Sequence, residues 1–135
     1  SIRDGEPPIL APIAAPEDVA SVVVSLAEDP DLGRLAVITA PELVPGVEAE
    51  LARRLPRGQV GTGDERLEAT VSVLTPTQAK GLEFDVVVVL EPAAIETASA
   101  QPGRDLYVAL TRATRTLIVA ATGTLPEGFE SLSAN

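Results

Sequence analysis

The chain has 135 residues and a mass of 13.9 kDa; 45% of the residues are apolar and 22% are charged, a composition typical of one globular domain. It contains no Cys and no His, which excludes disulfides, thiolate catalysis, Cys/His metal sites and Ser-His-Asp chemistry within the chain. The formal charge of −10 disfavours tight binding of nucleic acid by this domain alone.

The first third of the chain predicts an extended segment, a helix and a strand. Residues 1–16 are rich in proline, which precludes a helix and favours an extended segment at a sheet edge. A helix opens at 16–18, where proline and two acids suit a first turn, and valines follow at helical spacing until 28–30. The short apolar run 35–39 is typical of a fully buried strand.

The middle of the chain predicts a second helix and two more strands. The helix is expected from about 41 to 55, with its regular part beginning near Gly46 because a proline interrupts the start. A glycine-containing connection over 59–66 leads to a strand at 69–75, and a run of valines marks another strand at 85–90.

The last third predicts a loop, a helix, a strand and a tail. Residues 91–103 are mostly small or acidic and indicate a loop, whereas the apolar stripe within 105–114 indicates a helix. A buried strand is expected at 116–121. The domain is therefore expected to span 17–123, followed by a loosely held tail over 124–135.

Buried strands that alternate with helices favour the α/β class: a single domain with a mostly parallel sheet and helices on both faces. Ligands of such sheets bind at the carboxyl ends of the strands. This rule directs attention to 75–81 and to the loop and helix before Thr116.

The first informative segment, 73–85, is a strand that feeds a single helical turn. Thr75 and Gln78 are placed to form a capping box, and Gly81 suits the left-handed residue that ends the turn. A helix N-terminus beyond a strand offers free N–H groups to a phosphate, and Glu83 could accept hydrogen bonds from a ribose. The structural alternative is a well-capped connection whose charged side chains are simply solvated.

The second informative segment is 103–115, a helix in which Asp105 can act as the cap. Arg112 and Arg115 are expected in its last turn, where the helix dipole favours cations. The structural reading makes both of them ordinary helix charges. The functional reading makes one of them a phosphate contact, because a planar guanidinium suits an anionic oxygen.

Together, and in this order, the two segments resemble a pair of helicase motifs. Ala79–Asp85 (AKGLEFD) resembles the fifth motif of superfamily 1 helicases of the UvrD/Rep type, and Leu106–Ala113 (LYVALTRA) resembles the sixth. The resemblance covers about 69–121. It implies the C-terminal part of the second RecA-like motor domain, a fold of the P-loop NTPase type.

The resemblance also implies roles for particular residues. The positions that approach the DNA backbone in the family match Thr75, Thr77 and Lys80. The family's glycine–leucine–glutamate element reaches ATP, which places Gly81 and Glu83 near the ribose and phosphates. Arg112 matches the sixth-motif arginine that contacts the γ-phosphate, and it is the expected catalytic residue. The sequence departs from the family at Thr77, where a histidine is common.

The resemblance implies an ATP-dependent helicase or translocase with ATP and Mg²⁺ as cofactors and single-stranded DNA as a partner. The sequence contains no G-x-x-x-x-G-K-[ST] loop, and Glu91 is read as a strand end rather than as a Walker-B acid. An N-terminal RecA-like domain of the same parent is therefore expected to complete the site. The chain alone is expected to be inactive, with no nucleotide and no metal bound.

Two alternatives belong to other classes. One is a degenerate RecA-like domain that serves as an interaction platform, for example on RNA polymerase. The sequence of the motifs resembles that of the polymerase-recycling HelD group. Intact fifth and sixth motifs argue against degeneration. The other is a Rossmann-like cofactor domain, which would need a glycine-rich turn after the first buried strand, where 39–42 reads Thr-Ala-Pro-Glu.

The sequence shows no apolar run of about 20 residues and no basic-then-apolar leader. We therefore expect a cytoplasmic protein without a membrane partner. Methionine is absent even from position 1, so we expect the chain to be a piece of a longer protein.

Overall fold

The structure, a computed structural model, describes residues 8–61 and 69–123. Its strands are β1 Ile9–Pro12, β2 Leu35–Ile38, β3 Val71–Leu74, β4 Phe84–Leu90 and β5 Ala113–Ala121. Its α-helices are α1 Val19–Ala27, α2 Val44–Arg54, α3 Pro76–Ala79, α4 Pro92–Ala98 and α5 Pro102–Leu110. Short 3₁₀ turns at Pro16–Asp18 and Pro41–Leu43 lead into α1 and α2.

The strands form one five-stranded sheet in the order β1-β5-β4-β2-β3, and every neighbouring pair is parallel. In the centre, Leu35 of β2 lies opposite both Val71 and Val86. Because all strands run in one direction, the sheet has one edge where strands begin, the amino edge, and one where they end, the carboxyl edge. This architecture confirms the predicted α/β, RecA-like class.

Helices cover both faces of the sheet, and each face has its own aliphatic core. On one face α1 and α2 pack over alternate sheet residues such as Val37 and Val88. On the other face α3, α4 and α5 pack over the intervening residues, among them Ile38 and Val87. The central strands are therefore buried on both sides, which explains why they read as continuous apolar runs.

The predicted loop over 91–103 is wrong, because most of it is helical. Proline at the first position of α4 and again of α5 starts each helix, and the apolar Ile95 anchors α4 in the core. The small residues suggested a loop, yet alanine has the highest helix propensity of all residues. Likewise α2 begins at Val44, ahead of the predicted Gly46, because Pro45 is tolerated in a first turn.

The boundary between α5 and β5 also differs from the prediction. Helix α5 ends at Leu110, and β5 begins at Ala113 rather than at residue 116. The polar run that follows the helix pairs with the start of β4, where Phe84 lies opposite Ala113. Arg112 therefore lies between the two elements and Arg115 lies within a strand, so neither belongs to the last turn of a helix.

At the periphery, β1 forms one edge of the sheet, as the proline-rich sequence predicts. Val60, in the predicted 59–66 connection, makes an isolated parallel bridge to Val71. Residues 62–66 of the predicted connection, residues 1–7 of the predicted N-terminal segment and the predicted tail over 124–135 lie outside the described residues. Within the described residues, no helix is long and apolar enough to cross a membrane.

A close approach at the amino edge joins the start of β2 to β4. The Asp85 carboxylate accepts a hydrogen bond of 2.7 Å from the Arg34 amide. The neighbouring Gly33 has φ +79°, and a Cβ there would stand 2.2 Å from a carboxylate oxygen of Asp85. Only glycine suits both the backbone conformation and the available space.

We therefore predict that Gly33→Ala lowers the free energy of unfolding by about 1–3 kcal/mol, measured by urea denaturation. The matched control is Gly46→Ala within α2, where a Cβ would meet no atom within 4 Å. That change is expected to be neutral or to stabilise by up to about 1 kcal/mol. Equal effects of the two substitutions would contradict the assignment of Gly33.

Candidate functional site

Helix α3 is a single turn at the carboxyl edge, and it begins with the predicted capping box. The Thr75 hydroxyl accepts a hydrogen bond of 3.2 Å from the Gln78 amide. In return, the Gln78 side-chain oxygen accepts one of 2.9 Å from the Thr75 amide. Thr75 thus has a structural role as the helix cap. Thr77, the second residue of α3, is exposed.

The chain leaves α3 through a tight turn. Lys80 has φ −57° and ψ 132°, Gly81 has φ +78°, and the Leu82 amide donates to the Ala79 carbonyl at 3.1 Å. These values are those of a type II turn, whose third residue needs a positive φ. The prediction of a left-handed Gly81 is confirmed, and both Lys80 and Gly81 are exposed.

A pocket of about 440 Å³ opens beside α3 at the carboxyl edge, and we call it the carboxyl-edge pocket. It is lined by Ala40, Pro41, Thr75, Pro76, Thr77, Lys80, Ile95, Ala98, Ser99, Ala100, Gln101, Arg104 and Asp105. The three residues that the resemblance assigns to the DNA backbone all lie on its wall. The opposite wall comes from the end of α4 and the first turn of α5, a region that was predicted as a loop.

Two of the nucleotide-side residues, Glu83 and Arg112, lie at the amino edge, whereas Gly81 lies in the turn that leaves α3. The Phe84 amide, at the start of β4, donates a hydrogen bond of 2.9 Å to the carbonyl of Arg112, which immediately precedes β5. Glu83 is thereby brought beside Arg112 along the backbone. The loop and helix before Thr116 were expected at a carboxyl end, and residues within 98–105 do line the carboxyl-edge pocket. The end of that stretch, at Arg112, lies at the amino edge instead, because the parallel strand β5 begins there.

Arg112 is half-buried, and its guanidinium is only partly used by the domain. Its Nη2 donates to the Thr111 hydroxyl at 3.3 Å, and that hydroxyl donates to the Tyr107 carbonyl at 2.8 Å. Its Nε is buried and has no acceptor among the described residues. The donor that remains open to an acceptor from outside is Nη1, which is not buried and has no hydrogen bond among the described residues.

Arg115 has a different role. Within β5 it projects to the loop that precedes β2, where Nη2 donates to the Leu32 carbonyl at 2.8 Å and Nη1 to the Asp31 carbonyl at 3.4 Å. These bonds join β5 to a loop more than 80 positions earlier in the chain, so Arg115 has a structural role. Of the two arginines offered by the sequence, Arg112 is therefore the candidate for a phosphate.

The acidic residues near the two sites also differ in whether they have hydrogen-bond partners within the domain. Glu83 is exposed and has no hydrogen bond or ion pair among the described residues. The Glu91 carboxylate accepts from the Thr122 hydroxyl at 2.6 Å, in keeping with its reading as a strand end. Asp105 does not cap α5, which begins earlier; it accepts from the Ser99 hydroxyl at 2.6 Å.

No group of three or more acidic side chains that could hold a metal ion occurs in the described ranges. The sequence also gave no reason to single out Arg34, whose guanidinium lies 4.9 Å from the centre of the Phe84 ring at the amino edge. The spacing of 50 positions between the two residues carries no local signal. Only the pairing of β2 with β4 brings them together.

The contrast between the two arginines predicts different effects on stability. Arg115→Gln removes both bonds to the 31–32 carbonyls and is expected to lower the free energy of unfolding by about 1 kcal/mol. Arg112→Gln removes an unpaired donor and is expected to change it by less than about 0.5 kcal/mol. Urea denaturation of the two variants tests this, and a larger loss at Arg112 would contradict the assignment.

The comparisons with known proteins agree with this architecture. Over nearly its whole length, the chain resembles the crystal structure of the C-terminal domain of a possible DNA helicase from Lactobacillus plantarum WCFS1. The TM-score is 0.69 and the identity 27%, covering 96% of this chain and 83% of that one. No curated protein matches the sequence.

A second similar structure is the SWI2/SNF2 ATPase core of Sulfolobus solfataricus in complex with double-stranded DNA. Its TM-score is 0.63, with 18% identity over 95% of this chain and 30% of that one, and this likeness shows the fold alone. Residues 70–120 match the family model of the UvrD-like helicase C-terminal domain. The resemblance to UvrD/Rep-type helicases is thus confirmed over the stretch that holds both motifs.

Proposed function

We propose that this chain is the second motor domain of an ATP-dependent superfamily 1 DNA helicase or translocase. In this proposal it supplies Arg112 to an ATP site that a P-loop-bearing motor domain completes. The observation that carries the proposal is the Arg112 guanidinium at the amino edge, whose only hydrogen bond among the described residues is the one from Nη2 to Thr111. A permanent cation held in this way fits an anionic oxygen that arrives from another domain.

Arg112 would act on the charge that develops during phosphoryl transfer. The bond to the Thr111 hydroxyl restrains one side of its guanidinium, which leaves the other donors for a γ-phosphate oxygen. An arginine that stabilises this transition state contributes roughly 10³ to 10⁵ in rate, or about 4–7 kcal/mol of barrier. A guanidinium that is already restrained favours such a contact, because less conformational freedom is lost when the contact forms.

Glu83 and Gly81 would form the ribose side of the same site. Glu83 is exposed and has no hydrogen bond or ion pair within the part of the chain that the structure describes, so its oxygens are available to accept hydrogen bonds from hydroxyl groups. Gly81 in the type II turn has no side chain to obstruct the approach of a ligand to the backbone. The P-loop and the ligands for Mg²⁺ would come from the other motor domain.

The DNA side of the proposal rests on the carboxyl edge. Thr75, Thr77 and Lys80 lie on one wall of the carboxyl-edge pocket, away from the Arg112 corner. A hydroxyl and an ammonium group suit contacts to phosphate and sugar. The arrangement supports two separate ligands at opposite edges of one sheet, as a nucleotide-driven translocase needs.

The proposal predicts that Arg112→Gln in the full-length protein lowers kcat for ATP hydrolysis by roughly 10³-fold or more, with a smaller change in KM. Steady-state kinetics with single-stranded DNA present measures both quantities. Arg115→Gln is the matched control and should leave kcat within about twofold at temperatures where the variant is folded. Turnover within twofold of the parent for Arg112→Gln would favour the interaction-platform alternative.

For Glu83 we predict a loss of nucleotide affinity. Glu83→Ala removes hydrogen bonds from a charged acceptor to the ribose, so Kd for ATP in the full-length protein should rise about tenfold or more. The melting temperature of the variant should stay within about two degrees, because Glu83 is exposed and unbonded. A fall of many degrees would instead identify Glu83 as a structural residue.

A further inference from the structure

The wall of the carboxyl-edge pocket opposite α3 carries a cation that neither motif assigns to a ligand. Arg104 lies in the first turn of α5 and lines the pocket together with Lys80. Both side chains are exposed, and neither has a hydrogen bond or ion pair among the described residues. Two elements that are distant in sequence thus present free positive charge to one cavity.

The charge balance of the pocket is opposite to that of the chain. The whole chain has a formal charge of −10, yet the pocket is lined by two cations and a single acid, Asp105. That acid is already hydrogen-bonded to the Ser99 hydroxyl. The remaining lining residues are neutral, and Thr77 and Gln101 add further polar groups. The pocket therefore favours an anion.

The size and the lining of the pocket indicate which kind of anion it could bind. A volume of about 440 Å³ exceeds what one inorganic phosphate needs and is in the range of small-ligand sites. No aromatic residue is present among the residues that line it, so bases have no stacking platform there. A ligand held by its phosphates, independently of its bases, fits this combination.

We propose that Arg104 binds a backbone phosphate of single-stranded nucleic acid that passes through the carboxyl-edge pocket between α3 and α5. The inference rests on the proposed function, because it gives the nucleic acid of that motor a second contact wall. Arg104 and Lys80 then neutralise phosphates from the two sides. Binding is salt-dependent and insensitive to base identity, because contacts to phosphates carry no sequence information.

The test is a titration of the ¹⁵N-labelled 135-residue chain with dT10 and with rU10 at 50 mM and 200 mM NaCl, followed by amide NMR shifts. We expect the largest shifts at pocket amides such as those of Thr77, Lys80 and Gln101. Arg104→Gln should weaken binding about threefold or more at 50 mM salt, and should reduce the salt slope by about 0.7. The two oligonucleotides distinguish DNA from RNA as the source of the phosphate.

The matched control is Arg53→Gln, which removes the same charge from α2, where Arg53 is ion-paired with Glu50. It should leave both the affinity and the salt slope unchanged. The proposal is overturned if Arg104→Gln behaves like this control, if shifts map outside the pocket, or if poly-L-glutamate produces the same shifts. If neither oligonucleotide binds while Arg112→Gln still abolishes ATP turnover, this inference fails and the proposed function stands.

Discussion

The 2.9 Å hydrogen bond from the Phe84 amide to the Arg112 carbonyl aligns the beginnings of β4 and β5, and the placement of the candidate nucleotide site depends on it. Glu83 comes just before the donor residue, and Thr111 just before the acceptor residue. The backbone positions of Glu83, Thr111 and Arg112 thereby lie at one corner of the sheet. Because the strands are parallel, the same pairing leaves α3 and the first turn of α5 at the opposite edge.

Much of this fold could be predicted from local sequence. The buried strands read as unbroken apolar runs because helices cover both faces of the sheet. The turn after β3 was predictable to the residue, since a capping box and a glycine with positive φ are set by neighbouring residues alone. Arg112 and Glu83 were singled out through the two motifs, and their roles remain predictions.

What the sequence could not provide depends on contacts between distant segments. Arg112 and Arg115 look equivalent in sequence, and only the loop at 31–32 distinguishes them by accepting bonds from one of the pair. Helix α4 was missed because its small residues gave no periodic stripe, although Ile95 is enough to anchor it in the core. The second wall of the carboxyl-edge pocket was missed with it.

Helix α5 connects the carboxyl edge of the sheet to the amino edge. Its nine residues, Pro102–Leu110, extend about 13 Å. Arg104 lies in its first turn, near the carboxyl edge, and the Thr111–Arg112 step follows its last residue at the amino edge. Its middle is fixed to the sheet by Leu106 and Ala109, which are buried. Close-packed interiors have low compressibility and transmit strain, so α5 forms a direct packed connection between the two edges that the proposed function uses.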